Sequence, residues 1–381
     1  MAKMKKEDTT VEGTPTTSDD LSDIVALIKK DFGKNSGVGL ACDEPDETDF
    51  VSTGSKVLDL CIQAEGLPMH GKITELLGLF SSGKSLILQT VIANAQKKYD
   101  AIGILADREN AYTKERGLQL NIDNSKLIYV PAKDIPTITD AVNFICLSIE
   151  RIREKFPLRK IVIGIDSIAA FDKIPKTKIK VDKEGNETEV RSDSKADMGR
   201  KALKTHEGLR KLLNYLDHNT MFVFCNQVTF MPGVMFGDPH TTTSGEGPKY
   251  YSAIRIKLEQ GRKLTDASKG GEVVGQEIKC TVIKSRLGSN YRKCTIPFYY
   301  AKGLDPLEGY LRLLAERNII VPNTRKGPTA YSSFIYKETK FKEDQVDLVL
   351  KKFPELVFDK YPEWGNVAEV KESDVESDTE E

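Results

Sequence analysis

The chain has 381 residues, and its 56 basic and 57 acidic side chains leave a formal net charge of −1 at pH 7. This length allows one large buried core with smaller appendages. The near-neutral charge excludes a global basic field, so any surface that binds nucleic acid has to be local. The 6 cysteines show no CxxC spacing, which favours reduced, buried thiols over disulfides or a zinc site.

The beginning of the chain carries no hydrophobic signal sequence, and no apolar stretch elsewhere approaches the length of a membrane span. We therefore expect a soluble intracellular protein without a membrane partner. Residues 1 to about 18 are polar and rich in threonine, which predicts disorder.

A helix is predicted to begin near Ser18, Asp19 and Asp20, because these residues can cap it. Its apolar residues follow helical spacing: Leu21, Ile24, Val25, Ile28. A short amphipathic helix is not stable alone, so it has to dock on its own core or on a neighbouring subunit.

From about 50 to 300, apolar runs alternate with helical patterns, which predicts an α/β fold with a mixed, mostly parallel central sheet flanked by helices. The predicted strands are 73–77, 101–106, 127–130, 161–165 and 221–225. The predicted helices are 84–98, 136–154 and 196–217.

Beyond Gly247, the segments 250–258, 277–283 and 294–300 predict antiparallel strands that extend this sheet. Residues 306–318 predict a helix, and a small mixed region rich in aromatic residues follows. The chain ends in a solvated acidic tail. The predicted division is a leader, helix and linker over 1–49, a core over 50–320, a small C-terminal domain over 321–371 and the tail over 372–381.

Residues 78–85 fit the P-loop pattern GxxxxGK[ST] at every required position, between a predicted strand and a predicted helix. Backbone N–H groups of such a loop surround phosphates at the positive end of the helix. Lys84 can reach the β- and γ-phosphates, and the Ser85 hydroxyl can bind Mg²⁺. The predicted nucleotide-binding residues of the loop are Gly78, Leu79, Phe80, Ser81, Ser82, Gly83, Lys84 and Ser85.

Acidic side chains follow two further predicted strands. Asp166 ends a buried apolar run and is the candidate carboxylate to hold Mg²⁺ through water, with a helix-capping Asp as the alternative. Glu109 follows the strand 101–106 and is the candidate base that activates water, with a solvated loop acid as the alternative.

A third strand, 221–225, is followed by Asn226 and Gln227. An uncharged amide at this edge can contact a γ-phosphate without repulsion, so we assign that role to Gln227. The long loop 229–248 is rich in Gly, Thr and Pro with an apolar Val234-Met235-Phe236 segment, which suits contact with a nucleic-acid backbone and splayed bases.

Together these residues resemble the RecA family of bacterial and phage homologous-recombination ATPases over about 27–320. The P-loop stands at the family's spacing from residues 52–55 and 66–68. The most specific match is 233–243 followed by 249–255, which resembles the family's second DNA-binding loop and the strand after it.

The resemblance implies a RecA-type P-loop ATPase core, with ATP and Mg²⁺ bound between subunits of a helical filament on single-stranded DNA. Glu109 falls on the family's catalytic carboxylate, and Gln227 links the γ-phosphate to the DNA loop. Lys284 and Arg286 fall on the paired cations that reach a neighbour's ATP. The resemblance also implies an N-terminal polymerisation helix, with subunit contacts at Ile28, Phe32 and Tyr250.

The implied DNA contacts lie in two segments. The first is Met198, Gly199, Arg200, Lys201 and Lys204, and the second is Gly233, Val234, Met235, Phe236, Thr241, Thr242, Thr243, Ser244 and Gly245. Three departures from the family matter. Residues 176–191 lengthen the first DNA loop, and Leu203 replaces a usual arginine. The segment after Glu109 is shorter, so Tyr112 is only the nearest candidate to stack on adenine.

The resemblance thus implies a DNA-dependent ATPase that pairs homologous single- and double-stranded DNA, assisted by recombination mediators and single-strand-binding proteins. We expect it in the cytoplasm of a bacterial cell or a phage-infected host, and the departures favour a phage relative. The alternatives are a RecA-fold hexameric DNA motor or helicase, and a RecA-like accessory protein without turnover. The acidic tail either inhibits DNA binding or solubilises the chain.

Overall fold

The computed structural model of the chain describes residues 18–32, 38–43, 49–171, 178–181, 187–190, 194–230, 240–242, 244–266, 268, 270–324 and 331–358. The chain divides into two compact units, Met1–Thr48 and Asp49–Glu381. Among the residues described, no helix is both long and apolar enough to cross a membrane.

The described α-helices are α1 (Ser18–Phe32), α2 (Lys56–Ile62), α3 (Lys84–Tyr99), α4 (Lys114–Gln119), α5 (Ile138–Lys155), α6 (Ser194–Leu213), α7 (Gly247–Tyr251), α8 (Tyr310–Glu316) and α9 (Val346–Lys352). The described strands are β1 (Phe50–Val51), β2 (Leu67–Pro68), β3 (Ile73–Gly78), β4 (Ile102–Asp107), β5 (Leu127–Pro131), β6 (Ile161–Asp166), β7 (Lys178–Val181), β8 (Glu187–Val190), β9 (Thr220–Phe230), β10 (His240–Thr242), β11 (Ile254–Asp266), β12 (Glu272–Ser285), β13 (Arg292–Tyr299), β14 (Gly303–Leu304), β15 (Val321–Thr324), β16 (Tyr331–Tyr336) and β17 (Thr339–Phe341).

The first unit contains α1, which begins at Ser18 and confirms the helix predicted from the capping residues. Its apolar side chains Leu21, Ile24 and Leu27 are exposed. A 3₁₀ turn at Ala41–Asp43 completes the described part of this unit.

The second unit is organised around a 10-stranded sheet in the order β14-β13-β12-β11-β3-β9-β6-β4-β5, with β10 paired to β9. The strands from β11 to β5 in this order run parallel. Strands β12, β13 and β14 extend the sheet in antiparallel pairing. The predicted mixed, mostly parallel sheet is therefore confirmed.

Helices cover both faces of this sheet because its buried strands are apolar on both sides. One face packs Leu76, Leu105 and Val223 with α2 and α3. The other packs Ile104, Ile163 and Phe222 with α5 and α6. Helix α5 begins at a capping box, in which Thr137 and Asp140 each accept the other's backbone N–H.

Several predicted elements differ in extent from the observed ones, and both β9 and β12 are longer than the predicted strands 221–225 and 277–283. Tyr250 was predicted in a strand but lies in helix α7, because Pro248 near its start favours a helical turn and the strand begins only at Ile254. The helix predicted over 306–318 is confined to Tyr310–Glu316, where Gly309 at positive φ precedes it.

The segment predicted to lengthen the first DNA loop contains a two-stranded hairpin of β7 and β8. Near the C-terminus, β15, β16 and β17 form a separate 3-stranded antiparallel sheet. Its Phe334 and Phe341 pack in the same apolar cluster as α8 and β13. The predicted domain boundaries stay predictions. All cysteines are free, as expected, and only Cys42 is exposed.

Candidate nucleotide site and its surroundings

The P-loop connects the end of β3 to the start of α3. Gly83 adopts a φ of +90°, and a Cβ at this position would lie 2.4 Å from Ile278 Cδ1. A side chain is therefore excluded there, which explains the glycine in physical terms. Leu79 and Phe80 are exposed on the loop, whereas Ser82 is buried.

Side-chain amides from the neighbouring strands hold the P-loop backbone. Gln260 Nε2 donates to the Phe80 carbonyl at 3.1 Å, and Gln276 Nε2 donates to the Ser81 carbonyl at 2.9 Å. Lys84 Nζ donates to the carbonyls of Gly78 and Leu79 at 3.1 and 2.7 Å. These bonds keep the loop curled, so its N–H groups stay arranged to receive phosphate oxygens.

The Ser85 hydroxyl and the Asp166 carboxyl lie together, as predicted for the two Mg²⁺ ligands, and they share a hydrogen bond. Burial raises the pKa of Asp166 to about 6, although hydrogen bonds from Ser85 and Cys225 oppose this shift. Hydroxyl and carboxylate oxygens are the ligands that Mg²⁺ prefers. The donor set therefore fits a nucleotide bound with Mg²⁺.

The predicted base and the predicted phosphate sensor are in direct contact. Glu109 Oε1 accepts a hydrogen bond of 3.0 Å from Gln227 Nε2, and the Ser167 hydroxyl donates to the same oxygen. The Glu109 carboxylate is exposed, and its backbone N–H donates to the Asp166 carbonyl. An exposed, oriented carboxylate beside a P-loop can accept a proton from water.

Tyr112, the candidate to stack on adenine, follows Glu109 in a loop anchored on Asp107. Its backbone N–H donates to Asp107 Oδ2 at 2.9 Å, and its hydroxyl donates to Asn124 Oδ1 at 2.6 Å. The ring lies 5.6 Å from the Tyr129 ring, and burial raises the pKa of the Tyr112 hydroxyl. Its role in adenine binding stays a prediction.

The second predicted DNA segment emerges from a ribbon of β9 and β10, in which Phe230 pairs with His240. Gly233, Val234, Met235, Phe236 and Thr243 lie outside the described residues, and only the backbone of Thr241 and Thr242 is described. Ser244 is buried, and its hydroxyl donates to Asn226 Oδ1 at 3.0 Å. Gly245 packs against Ala202 of α6.

The first predicted DNA segment lies in α6, where only the backbone of Met198, Gly199 and Arg200 is described. Lys201 is only 6% exposed, and its ammonium donates to the carbonyls of Ala169 and Phe171. In this position the ammonium faces the protein, so it ties α6 to the turn after β6. Lys204 is exposed and pairs with Glu207 at 2.7 Å.

Lys284 and Arg286 lie at the opposite edge of the sheet from their own P-loop. The register pairs Lys284 with Arg255 and Arg255 with Glu75, whereas the P-loop begins at Gly78, the last residue of β3. Lys284 Nζ donates to the Lys249 carbonyl at 2.6 Å. Burial, and then the positive charges of Arg286 and Arg255, lower the pKa of the Lys284 ammonium.

The predicted subunit contacts are exposed to different degrees. Tyr250 is 67% exposed on α7, and Ile28 is 37% exposed on α1. Only the backbone of Phe32 is described, at the end of α1. A role in subunit contact stays a prediction for all three.

Sequence reasoning missed a buried ion pair between Glu75 and Arg255. Both residues interrupt apolar strands, Ile73-Thr-Glu-Leu-Leu77 and Ile254-Arg-Ile256. A charged side chain in a buried strand requires a partner, so these two interruptions were a usable signal.

We predict that Lys201→Met lowers the free energy of unfolding by about 2 kcal/mol, because two carbonyls lose a charged donor. Urea denaturation followed by circular dichroism measures this loss. Lys204→Met on the same helix is the matched control, and losing its exposed ion pair is expected to cost less than about 1 kcal/mol. Equal losses in the two variants would contradict a structural role for Lys201.

Comparison with known proteins agrees with this geometry. The family model described as the RecA N-terminal domain matches residues 19–305. The protein RecA of Ruminococcus albus is 30% identical over 319 residues, which cover 83% of this chain and 72% of that protein. Together with the mixed α/β sheet and its P-loop, these matches show that the chain belongs to the RecA family, whose members act in DNA recombination and repair.

Proposed function

We propose that this chain is an ATP-dependent DNA recombinase that forms helical filaments on single-stranded DNA and exchanges strands with a homologous duplex. The observation that carries the proposal is the hydrogen bond between Glu109 and Gln227 beside the P-loop. This bond joins Glu109, the predicted base for hydrolysis, to β9, the strand that precedes the predicted DNA loop. Family membership supports the same activity.

One half of the ATP site lies on this chain. Mg²⁺, when bound, would neutralise phosphate charge, and Ser85 and Asp166 are the residues to hold it. Lys84 would exchange its bonds to the loop carbonyls for phosphate oxygens. Glu109 would orient the attacking water and accept its proton, while Ser167 and Gln227 keep the carboxylate in place.

The other half would come from a neighbouring subunit. Lys284 and Arg286 stand at the opposite edge of the sheet, so within one chain they are remote from the P-loop. Placed against a neighbour's ATP, they would stabilise the charge that develops on the phosphoryl group. This head-to-tail arrangement is heterologous, and such interfaces generate filaments when the rotation does not close.

DNA would bind along the two predicted DNA segments, through backbone contacts and splayed bases. Gln227, in contact with the γ-phosphate, would order the loop that follows β9 and raise its affinity for DNA. Recombination mediators and single-strand-binding proteins are proposed partners in loading the filament.

We predict that Glu109→Gln retains ATP binding but lowers kcat at least about 100-fold, because the amide cannot accept the proton of the attacking water. Nucleotide affinity by fluorescence titration and phosphate release by a coupled assay measure the two effects. Glu115→Gln is the matched control, since Glu115 is an exposed acid nearby at the start of α4. Unchanged turnover in Glu109→Gln would exclude Glu109 as the base.

Electron microscopy with single-stranded DNA and a non-hydrolysable ATP analogue tests the assembly. We expect open helical filaments, and a fluorescence assay on the same samples should detect strand exchange with homologous but not with heterologous duplex. Closed six-membered rings without strand exchange would instead identify a RecA-fold motor and overturn the proposal.

A further inference from the structure

A connected row of buried polar side chains crosses three strands of the central sheet. Glu75 of β3 is fully buried and forms an ion pair with Arg255 of β11. Its Oε1 atom accepts a hydrogen bond of 2.7 Å from Asn226 Nδ2 of β9. Asn226 Oδ1 accepts a hydrogen bond of 3.0 Å from the Ser244 hydroxyl. We call Arg255, Glu75, Asn226 and Ser244 the buried array.

The buried array crosses β11, β3 and β9, three adjacent strands in the interior of the sheet. At one end, Arg255 is paired in register with Lys284, one of the cations proposed to reach a neighbour's ATP. Farther along the array, Asn226 is paired with Leu77, the residue before the P-loop begins. The array therefore connects a residue in register with Lys284 to a residue in register with Leu77, beside the start of the P-loop.

Its last member, Ser244, lies at the foot of the second predicted DNA segment. The next residue, Gly245, has a φ of +72°, and a Cβ there would lie 2.6 Å from Ala202 Cβ. Gly247 likewise packs against His206 of the same helix. The foot of this segment is thus fixed against α6, the helix that carries the first predicted DNA segment.

The cost of burying this array argues for a role beyond stability. An ion pair taken out of water contributes little net free energy, and packed apolar side chains at the same place stabilise a fold as well or better. Both carboxylate oxygens of Glu75 and both polar atoms of the Asn226 amide are engaged. Movement of one member therefore requires the others to follow or a buried hydrogen bond to break.

Asn226 and Gln227 are consecutive residues of β9, and they connect the buried array to the candidate nucleotide site. The Gln227 side chain contacts Glu109, whereas the Asn226 side chain contacts Glu75 and Ser244. Successive side chains of a strand point to opposite faces, so the two amides report on opposite sides of the sheet. Because the two residues are adjacent in β9, the backbone connects the Gln227 contact with Glu109 to the Asn226 contacts with Glu75 and Ser244.

We propose that the buried array consists of positioning residues that make DNA affinity depend on which nucleotide occupies the P-loop. This inference rests on the proposed function. In this proposal Ser244 acts through its hydrogen bond to Asn226 instead of contacting DNA. Glu75 and Arg255 connect Asn226 to Lys284.

Ser244→Ala tests the proposal at the end of the array that lies in the second predicted DNA segment. Fluorescence anisotropy measures the Kd for a labelled single strand with a non-hydrolysable ATP analogue and with ADP. We expect the ratio of the two Kd values to fall about fivefold, as for the loss of one hydrogen bond. Ser244→Thr keeps a hydroxyl and should restore the ratio.

Ser252→Ala is the matched control, because Ser252 is also fully buried but its hydroxyl has no hydrogen-bond partner among the described residues. The ratio of the two Kd values in Ser252→Ala should equal that of the unchanged protein. Asn226→Ala tests the array from its centre and should lower the ratio as Ser244→Ala does. The double variant should show little further loss, since both substitutions cut the same connection.

An unchanged ratio in Ser244→Ala and Asn226→Ala would overturn the proposal. Equal weakening of DNA binding with both nucleotides would overturn it too, because that result indicates a direct DNA contact. Failure of the proposed function is distinguishable, since the unchanged protein would then form no helical filaments and exchange no strands, whatever the Kd ratios of the variants.

Discussion

The parallel pairing of β3, β9, β6 and β4 brings the carboxyl ends of buried strands to one edge of the sheet. In this register Gly78 lies opposite Gln227, and Asp107 lies opposite Asp166. A slip by one residue would turn the side chains at these strand ends to the other face. The contact between Glu109 and Gln227, and that between Ser85 and Asp166, both depend on this register.

The same sheet also separates the P-loop from Lys284, two groups that the proposed ATP hydrolysis requires together. Strand β12 runs antiparallel to β11. Lys284, near the C-terminal end of β12, therefore lies toward the end of the sheet where the parallel strands begin. A chain built this way holds the P-loop at one edge and its proposed cationic partners at the other. In the proposed filament a head-to-tail neighbour would bring the two together, so hydrolysis would be a property of the assembly.

Local patterns in the sequence were sufficient to predict much of the fold and part of the candidate nucleotide site. The P-loop pattern and the apolar strand before Asp166 are short local signals, and they were sufficient to select Ser85 and Asp166, whose side chains share a hydrogen bond. The alternation of strands and helices likewise predicted the parallel sheet, because the strands buried on both faces read as continuous apolar runs.

What sequence patterns could not supply depends on contacts between distant residues. Lys201 looks like a surface cation in sequence, yet its ammonium is buried on the carbonyls of Ala169 and Phe171. Glu75 and Arg255 are 180 residues apart, and their ion pair exists only because β11 joins β3. Helix α7 displaced the predicted start of a strand, since local turn residues outweighed the apolar pattern.

An ATP site shared between subunits is tested most directly by mixing two variants that are each defective in a different half. Lys84→Ala removes the P-loop cation, and Lys284→Ala removes the cation proposed to act on a neighbour. Each alone should be inactive in ATP hydrolysis with single-stranded DNA. An equal mixture should recover about a quarter of the unchanged protein's rate, because random head-to-tail assembly leaves that share of interfaces intact. A mixture as inactive as its components would contradict a shared site.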